Sequence, residues 1–304
     1  MTEMSIVEDL KKLKKEKNAI ILAHYYVPAE VQDVADFIGD SFALAKKAMT
    51  TDADIIVFAG VMFIGESAKI LNPNKKVLLP DMSADCPMAH MAYAEKVKKV
   101  REKYDDVAVV CYINSTAELK AVSDVCVTSS NACRIVKGLP QKNIYFIPDQ
   151  NLATFVEKQV PEKNFIKNDG YCIVHHQVTK EQMLQAKAEH PNALVLVHPE
   201  SKDELCKLAD YVGSTSGIIQ FATESDCKEF LIGTELGVFY ELQKRNPDKT
   251  FIPVRSDQIC ENMKKITLEK VYTALRDETN EVIMSEEQTD LALHALKNMM
   301  EMGK

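Results

Sequence analysis

The chain has no apolar run of about 18 residues, the length a helix needs to cross a bilayer, and no pattern of a secretory signal peptide. A cytoplasmic protein with no membrane partner is therefore expected. Positive charge is short as well. Lys and Arg number 37 against 45 Asp and Glu, a net charge of −8. Nucleic-acid binding relies on clustered Lys and Arg that release counterions, so no nucleic-acid partner is expected. The densest basic run, residues 11–17, is broken by Leu13 and Glu16. It reads as the solvated face of a helix whose apolar side is Ile6, Val7, Leu10 and Leu13. Paired cysteines are also missing: the eight cysteines contain no CxxC, no C-x-x-C…H-x-x-H and no CxxxCxxC. A zinc ribbon or finger is thus disfavoured, and in a reducing compartment the thiols do not form a disulfide framework.

What is present is a period. Cys86, Cys172 and Cys260 are separated by 86 and 88 residues. Continuous apolar runs at 19–25, 107–114 and 193–200 suit strands buried on both faces, as in parallel sheets. They carry His24, Tyr112 and His198, separated by 88 and 86. A helical pattern precedes each run, at 5–16, 92–103 and 180–190, the last opened by a Thr179/Gln182 capping box. A second helical pattern follows each run and leads to a small polar cluster: Gly39-Asp40-Ser41, Val127-Thr128-Ser129 and Gly213-Ser214-Thr215. Helical segments are expected after the clusters at 42–49, 132–136 and 218–222. Strands ending near Gly60, Ile147 and Gly233 come next, then helices over 63–71, 151–160 and 236–244. The first and third of these stop at Asn72-Pro73 and Asn246-Pro247, because proline disfavours helix in the residue before it. Strands over 77–80, 164–167 and 250–254 complete each unit, and a cysteine follows.

Several kinds of marker sharing one spacing signify an internal repeat. The fold expected is α/β: three pseudo-repeated three-layer αβα domains with parallel sheets around a central pseudo-threefold axis. The expected boundaries are 1–87, 88–173 and 174–262, with residues 263–304 forming C-terminal helices, at 268–276 and 285–302, that pack back on the repeats. Sites in such sheets lie at the carboxyl ends of the strands, where His24, Tyr112, His198 and the polar clusters fall.

Three thiolates converging from three domains could hold zinc with one open position, or a [4Fe–4S] cluster with one iron lacking a protein ligand. Cys111, Cys126 and Cys133 sit within apolar strand or helix patterns, and Cys206 and Cys227 in helical stretches; these five read as structural. The polar clusters offer hydroxyls and helix N-termini to anions, so a ligand with several carboxylates or a phosphate is expected. His198 beside Glu200, and His24 beside Tyr26, supply acid and base groups at the same strand ends. His175 and His176 flank Cys172 and read as supports for a ligand there.

The set His24-Tyr25-Tyr26, Gly39-Asp40-Ser41, Phe58-Ala59-Gly60-Val61 with Glu66-Ser67-Ala68-Lys69-Ile70-Leu71, Pro148-Asp149-Gln150-Asn151-Leu152, Gly170-Tyr171-Cys172-Ile173-Val174-His175, His198-Pro199-Glu200, Gly213-Ser214-Thr215-Ser216 and Cys260-Glu261-Asn262-Met263-Lys264 resembles, in order and over nearly the whole chain, the quinolinate synthase family. The resemblance implies a [4Fe–4S] cluster on Cys86, Cys172 and Cys260. It also implies condensation of iminoaspartate with dihydroxyacetone phosphate, with loss of phosphate and water, to quinolinate for NAD biosynthesis. A transient contact with the enzyme that supplies iminoaspartate follows from the same source. The family's iminoaspartate residues map onto His24, Ser41, Tyr112, Asn114, Ser129, His198, Glu200 and Thr215, and Ser214 is added as a neighbouring hydroxyl. In the mechanism expected, Glu200 with His198 moves protons, Tyr26 and His24 assist phosphate loss or dehydration, Tyr112 positions an intermediate, and the open iron polarises the last hydroxyl to leave.

The chain departs from the family at Asp85 (usually Gly), Ser201 (usually Cys) and Ala153 (usually Gly), and lacks the extra CxxC that some relatives carry beside the last cluster cysteine, so no redox disulfide is expected there. A modest effect of Asp85 on cluster stability is expected. Two rival readings are a diphthamide-synthesis-like iron–sulfur enzyme acting on S-adenosylmethionine and a non-catalytic metal carrier. The first leaves the carboxylate-binding set unexplained; the second needs no acid/base pair.

Overall fold

A computed structural model describes residues 3–303. Among the described residues, twelve strands form three four-stranded sheets, parallel throughout, with helices on the faces. The first sheet is ordered β2-β1-β3-β4, from β1 (Ala19–His24), β2 (Phe37–Gly39), β3 (Ile55–Ala59) and β4 (Lys76–Leu78). The second repeats the order as β6-β5-β7-β8, from β5 (Val107–Tyr112), β6 (Val125–Val127), β7 (Asn143–Ile147) and β8 (Asn164–Lys167). The third is β10-β9-β11-β12, from β9 (Leu194–Val197), β10 (Tyr211–Val212), β11 (Glu229–Gly233) and β12 (Thr250–Pro253). Three αβα units of identical strand order are present, as the period implies.

The two central strands of each sheet are apolar because helices cover both faces. Every residue of β3 and β5 is buried, and each large side chain so buried contributes about 1.5–3 kcal/mol.

The sequence reading misses the short second strand of each sheet, which it folds into a helical pattern. The actual segments are a short helix such as Ala29–Val34 or Ala117–Ala121, then two or three strand residues. Two or three residues are too few to display a period of two. Cys227 is a second correction: it lies in the loop between the helix Thr215–Glu224 and β11, because Ser225 already ends the helix.

Polar devices repeat with the strands. Asp36, Asp124 and Asp210, spaced 88 and 86 apart, each accept a backbone N–H from the central strand: Ile21 (2.9 Å), Val109 (2.6 Å) and Val195 (2.8 Å). Lys75, Lys163 and Lys249, at the same spacing, each donate to carbonyls near the C-terminus of a preceding helix. Such carbonyls have no partner within their own helix. The C-caps Asn72, Val160 and Asn246, each before a proline, adopt one conformation, with φ −136°, −131° and −134°.

After the third sheet, the helix Leu268–Asp277 packs on the first helix, Glu3–Glu16, and the helix Glu286–Met302 lies along Ala117–Ala121 and β6. Ser285 opens the latter with a capping box, and Asn298 donates to Asp124 O at 2.8 Å. Among the described residues no helix is long and apolar enough to cross a membrane.

Candidate active site

The carboxyl ends of the three sheets face one cavity, lined by residues of all three repeats. His24, Tyr26, Ser41, Tyr112, Asn114, Ser129, His198, Glu200 and Thr215 line it, together with Cys86, Cys172 and Cys260. Ser214 does not: its Oγ accepts Gly217 N–H at 3.2 Å as the N-cap of Thr215–Glu224, and Thr215 faces the cavity instead. Ser41 opens the helix Ser41–Thr50, capped by Asp40. The middle cluster differs from expectation. Ser129 stands ahead of the helix Ala132–Gly138, and Asn131 Oδ1 accepts Thr128 N–H at 2.7 Å within the intervening turn. Two helix N-termini therefore face the cavity at these clusters, not three.

His24 and His198 occupy equivalent positions and are set in the same way. Nδ1 of His24 accepts Tyr26 N–H at 3.2 Å, and Nδ1 of His198 accepts Glu200 N–H at 3.3 Å. The neutral ring then carries its proton on Nε2. In His198 that proton is donated to Ser129 Oγ at 3.1 Å, leaving the Ser129 hydroxyl hydrogen for a ligand. Burial pushes His24 down to about 4 and His198 down to about 3, so both are neutral at pH 7.

Glu200 is 3% exposed and sits at the centre. Tyr112 Oη donates to Oε1 at 2.7 Å, and His175 Nδ1 lies 2.8 Å from Oε2. Burial pushes the carboxyl up, but the facing imidazoles of His198 and His175 and the hydrogen bonds from His175 and Tyr112 outweigh it and hold the group well below the ordinary carboxylate range. On the far side of His175, Nε2 lies 2.9 Å from Thr234 Oγ1, which lies 2.9 Å from Tyr26 Oη, itself 2.9 Å from Thr215 Oγ1. Burial, then the charge of Glu200, raises Tyr26 and Tyr112 well above the ordinary phenol, so both remain donors. Asn114 Oδ1 is buried without a partner.

The three cysteines stand at matching points, each just before a single helical turn: Pro87–His90, Ile173–His176 and Glu261–Lys264. Backbone N–H groups of these turns reach the sulfurs, from Met88 and Ala89, from His175, and from Asn262 and Met263. Cys86 and Cys260 each have their own N–H taken by a carboxylate, Asp85 Oδ1 at 2.7 Å and Glu235 Oε1 at 3.1 Å, and Asp149 is the carboxylate that stands near Cys172 N–H. Burial pushes all three thiols up, and neighbouring thiol or carboxyl groups push further. A bound cation would reverse this, since metal ligation needs thiolates. The three sulfurs do not all lie within 4.8 Å of one another. One tetrahedral zinc, with Zn–S of about 2.3 Å, would hold its sulfurs only ~4 Å apart. The spread tells against one shared zinc ion, and an all-thiolate donor set is the kind iron–sulfur clusters take.

Sequence reasoning missed Glu235, Thr234 and Lys264. Glu235 is fully buried and also accepts Gly237 N–H at 2.6 Å and pairs with Lys264 at 2.8 Å, while Lys264 donates to Tyr26 O at 2.6 Å. A signal existed: Asp149 and Glu235 each lie two residues beyond a strand end, 86 apart. His175 lies 3.2 Å from Cys172 Sγ, whereas His176 turns to Asn151 and Tyr171.

The sequence matches the family model described as Quinolinate synthetase A protein over residues 8–301. It is 52% identical over 298 residues to the quinolinate synthase of Caldicellulosiruptor saccharolyticus, covering 98% of each chain. It is 53% identical over 294 residues to that of Fusobacterium nucleatum, covering 97% of this chain and 98% of the other. With that of Aquifex aeolicus the identity is 49% over 301 residues, covering 97% and 94%. The chain belongs to the quinolinate synthetase A family of enzymes.

Proposed function

We propose that the chain condenses iminoaspartate with dihydroxyacetone phosphate, with loss of phosphate and water, to give quinolinate. The observation that carries this reading is the meeting, in one cavity, of three matched cysteines with a ring of hydroxyl and imidazole donors suited to carboxylates. Cys86, Cys172 and Cys260 would hold a [4Fe–4S] cluster, which when bound supplies a Lewis acid through the iron that lacks a protein ligand.

The protein's own groups supply the rest. Ser41 and Thr215, at helix N-termini, and Ser129, freed by His198, donate to the carboxylates of iminoaspartate. The unpaired Asn114 Oδ1 accepts the N–H of the imine. Glu200 is ionised in the free cavity and takes a proton during ketone–aldehyde isomerisation. A bound dicarboxylate raises its basicity, because a like charge nearby favours the protonated form. His198 holds its backbone N–H and fixes its direction. Tyr26 and the Nε2–H of His24 donate to oxygens that leave as phosphate or water. Tyr112 positions Glu200 and the intermediate beside it. The cytoplasm, with reduced thiols, suits the eight free cysteines, and a transient contact with the enzyme supplying iminoaspartate would limit its loss by hydrolysis.

Anaerobic purification followed by iron and sulfide counts, a visible spectrum and an assay for quinolinate tests the reading. A brown protein with four irons per chain that forms quinolinate is expected, four being about the content of one such cluster. A colourless protein that holds only zinc and forms none would overturn it.

A further inference from the structure

Cys172 has a second set of neighbours. Its Sγ, His175 Nδ1 and Glu200 Oε2 all lie within 4.8 Å of one another, and among the described residues this is the one group of three His, Cys, Asp or Glu so placed. The sulfur is 3.2 Å and the carboxylate 2.8 Å from the same ring nitrogen. Cys172 and His175 are three residues apart at the start of one helical turn, and Glu200 follows β9. At metal–ligand distances of about 2.0–2.3 Å, tetrahedral ligands stand ~3.3–3.8 Å apart. Separations of 2.8 and 3.2 Å reach that range with shifts of well under ~1 Å.

Each ligand atom also has its support. The other ring nitrogen of His175 faces Thr234 Oγ1 at 2.9 Å, the other oxygen of Glu200 accepts from Tyr112 at 2.7 Å, and Cys172 Sγ accepts the His175 N–H. Such partners orient metal ligands and fix the histidine tautomer. Three protein ligands facing a cavity leave the fourth position open, as in zinc sites with a labile position.

We infer that the iron-free chain carries a mononuclear divalent transition-metal site, suited to zinc or cobalt, formed by Cys172, His175 and Glu200. Binding releases one proton, from the Cys172 thiol. The single ring proton of His175 moves from Nδ1, which the metal takes, to Nε2, where it is donated to Thr234, so the chain through Tyr26 to Thr215 reverses its direction of donation. Because Cys172 serves both, this ion and a cluster on the three cysteines exclude each other; that exclusion alone rests on the proposed function.

The test uses the full-length chain, freed of iron, reduced and titrated anaerobically with cobalt(II). One cobalt per chain is expected, with sulfur-to-cobalt charge transfer and the intense visible bands of a tetrahedral ion. Cys86→Ser and Cys260→Ser should retain both. Cys172→Ala and His175→Ala should abolish the charge transfer or weaken binding at least ~100-fold, and Thr234→Val should weaken it roughly 10–100-fold. Far-UV circular dichroism of each variant separates loss of the site from loss of the fold, and the two retained variants decide the matter if His175→Ala unfolds. A signal that requires Cys86 or Cys260, an octahedral spectrum, or no binding overturns the proposal. Reconstitution with iron and sulfide is run on separate samples. A chain that builds a cluster but binds no cobalt defeats this site alone, and one that binds cobalt as described but never builds a cluster defeats the cluster alone. Zinc added first should block reconstitution until a chelator removes it.

Discussion

The phenol of Tyr112 donates to Glu200 Oε1 at 2.7 Å across 88 residues of sequence, joining the end of the second repeat's central strand to that of the third. The bond ties the proposed acid/base group to a strand end, not to a mobile loop. Glu200→Gln keeps the shape but cannot take a proton, and is expected to lower kcat about 100- to 10,000-fold. Tyr112→Phe, which removes one donor to a charged group worth about 1.5–3 kcal/mol, should lower it less. Quinolinate formation measured at equal iron content checks both.

Replacing Cys86, Cys172 or Cys260 by Ser one at a time should remove the visible absorbance and most of the iron after anaerobic reconstitution. Cys206→Ser and Cys227→Ser, in a short helix and a loop away from the cavity, should retain both. Iron per chain and the spectrum are the readouts.

The carboxylates on the cysteine N–H groups differ in setting. Glu235 is buried and holds Cys260, Gly237 and Lys264, whereas Asp85 is half-exposed and holds Cys86 N–H and the exposed His90 at 2.6 Å. Glu235→Ala should destabilise the fold by about 3 kcal/mol by stranding a cation and two N–H groups, seen as a lower midpoint in urea. Asp85→Gly should unfold nearly as the parent does and shorten cluster retention only modestly. A collapse of retention in Asp85→Gly would contradict this.

Acid should weaken the metal-free protein through His24. Burial pushes its folded value down to about 4 against the attraction of Glu200, with Lys264 adding to the push, while the unfolded chain binds the proton near 6.5. Between about 4 and 6.5 the unfolded state holds more protons, so stability is full above that window and is lost as pH falls through it. The depressed carboxyl of Glu200 acts in the same direction at lower pH. Tm should fall from pH 6.5 to 4, and His24→Asn should flatten that slope.

The repeat was legible because three apolar strands and three reactive residues kept step, and because Asn72-Pro73 and Asn246-Pro247 end helices by a local steric rule. The cavity followed, since strand ends carry sites whatever the details of the loops. What stayed hidden were residues whose meaning is purely tertiary. Asp36, Asp124 and Asp210 look like any surface aspartate until their carboxylates are seen on the central strands. Thr234 in the third repeat and Lys264 just after it show their roles only when they meet Tyr26 of the first. The two-residue β10 is too short for any pattern, and Cys227 read as helical because the helix before it ends only three residues earlier.

Tyr26 with Thr215, Tyr112 with Glu200 and Ser129 with His198 are bonds between different repeats, and all six side chains are also the ones offered to a ligand. A donor whose only hydrogen already lies in such a bond, as in Tyr112, would loosen a neighbouring repeat on turning to a ligand, whereas Ser129 keeps its bond to His198 and has its own hydrogen to give. Ligand affinity at those donors would then be partly a difference between two sets of similar bonds, and the grip of the three repeats on one another would vary with what lies between them.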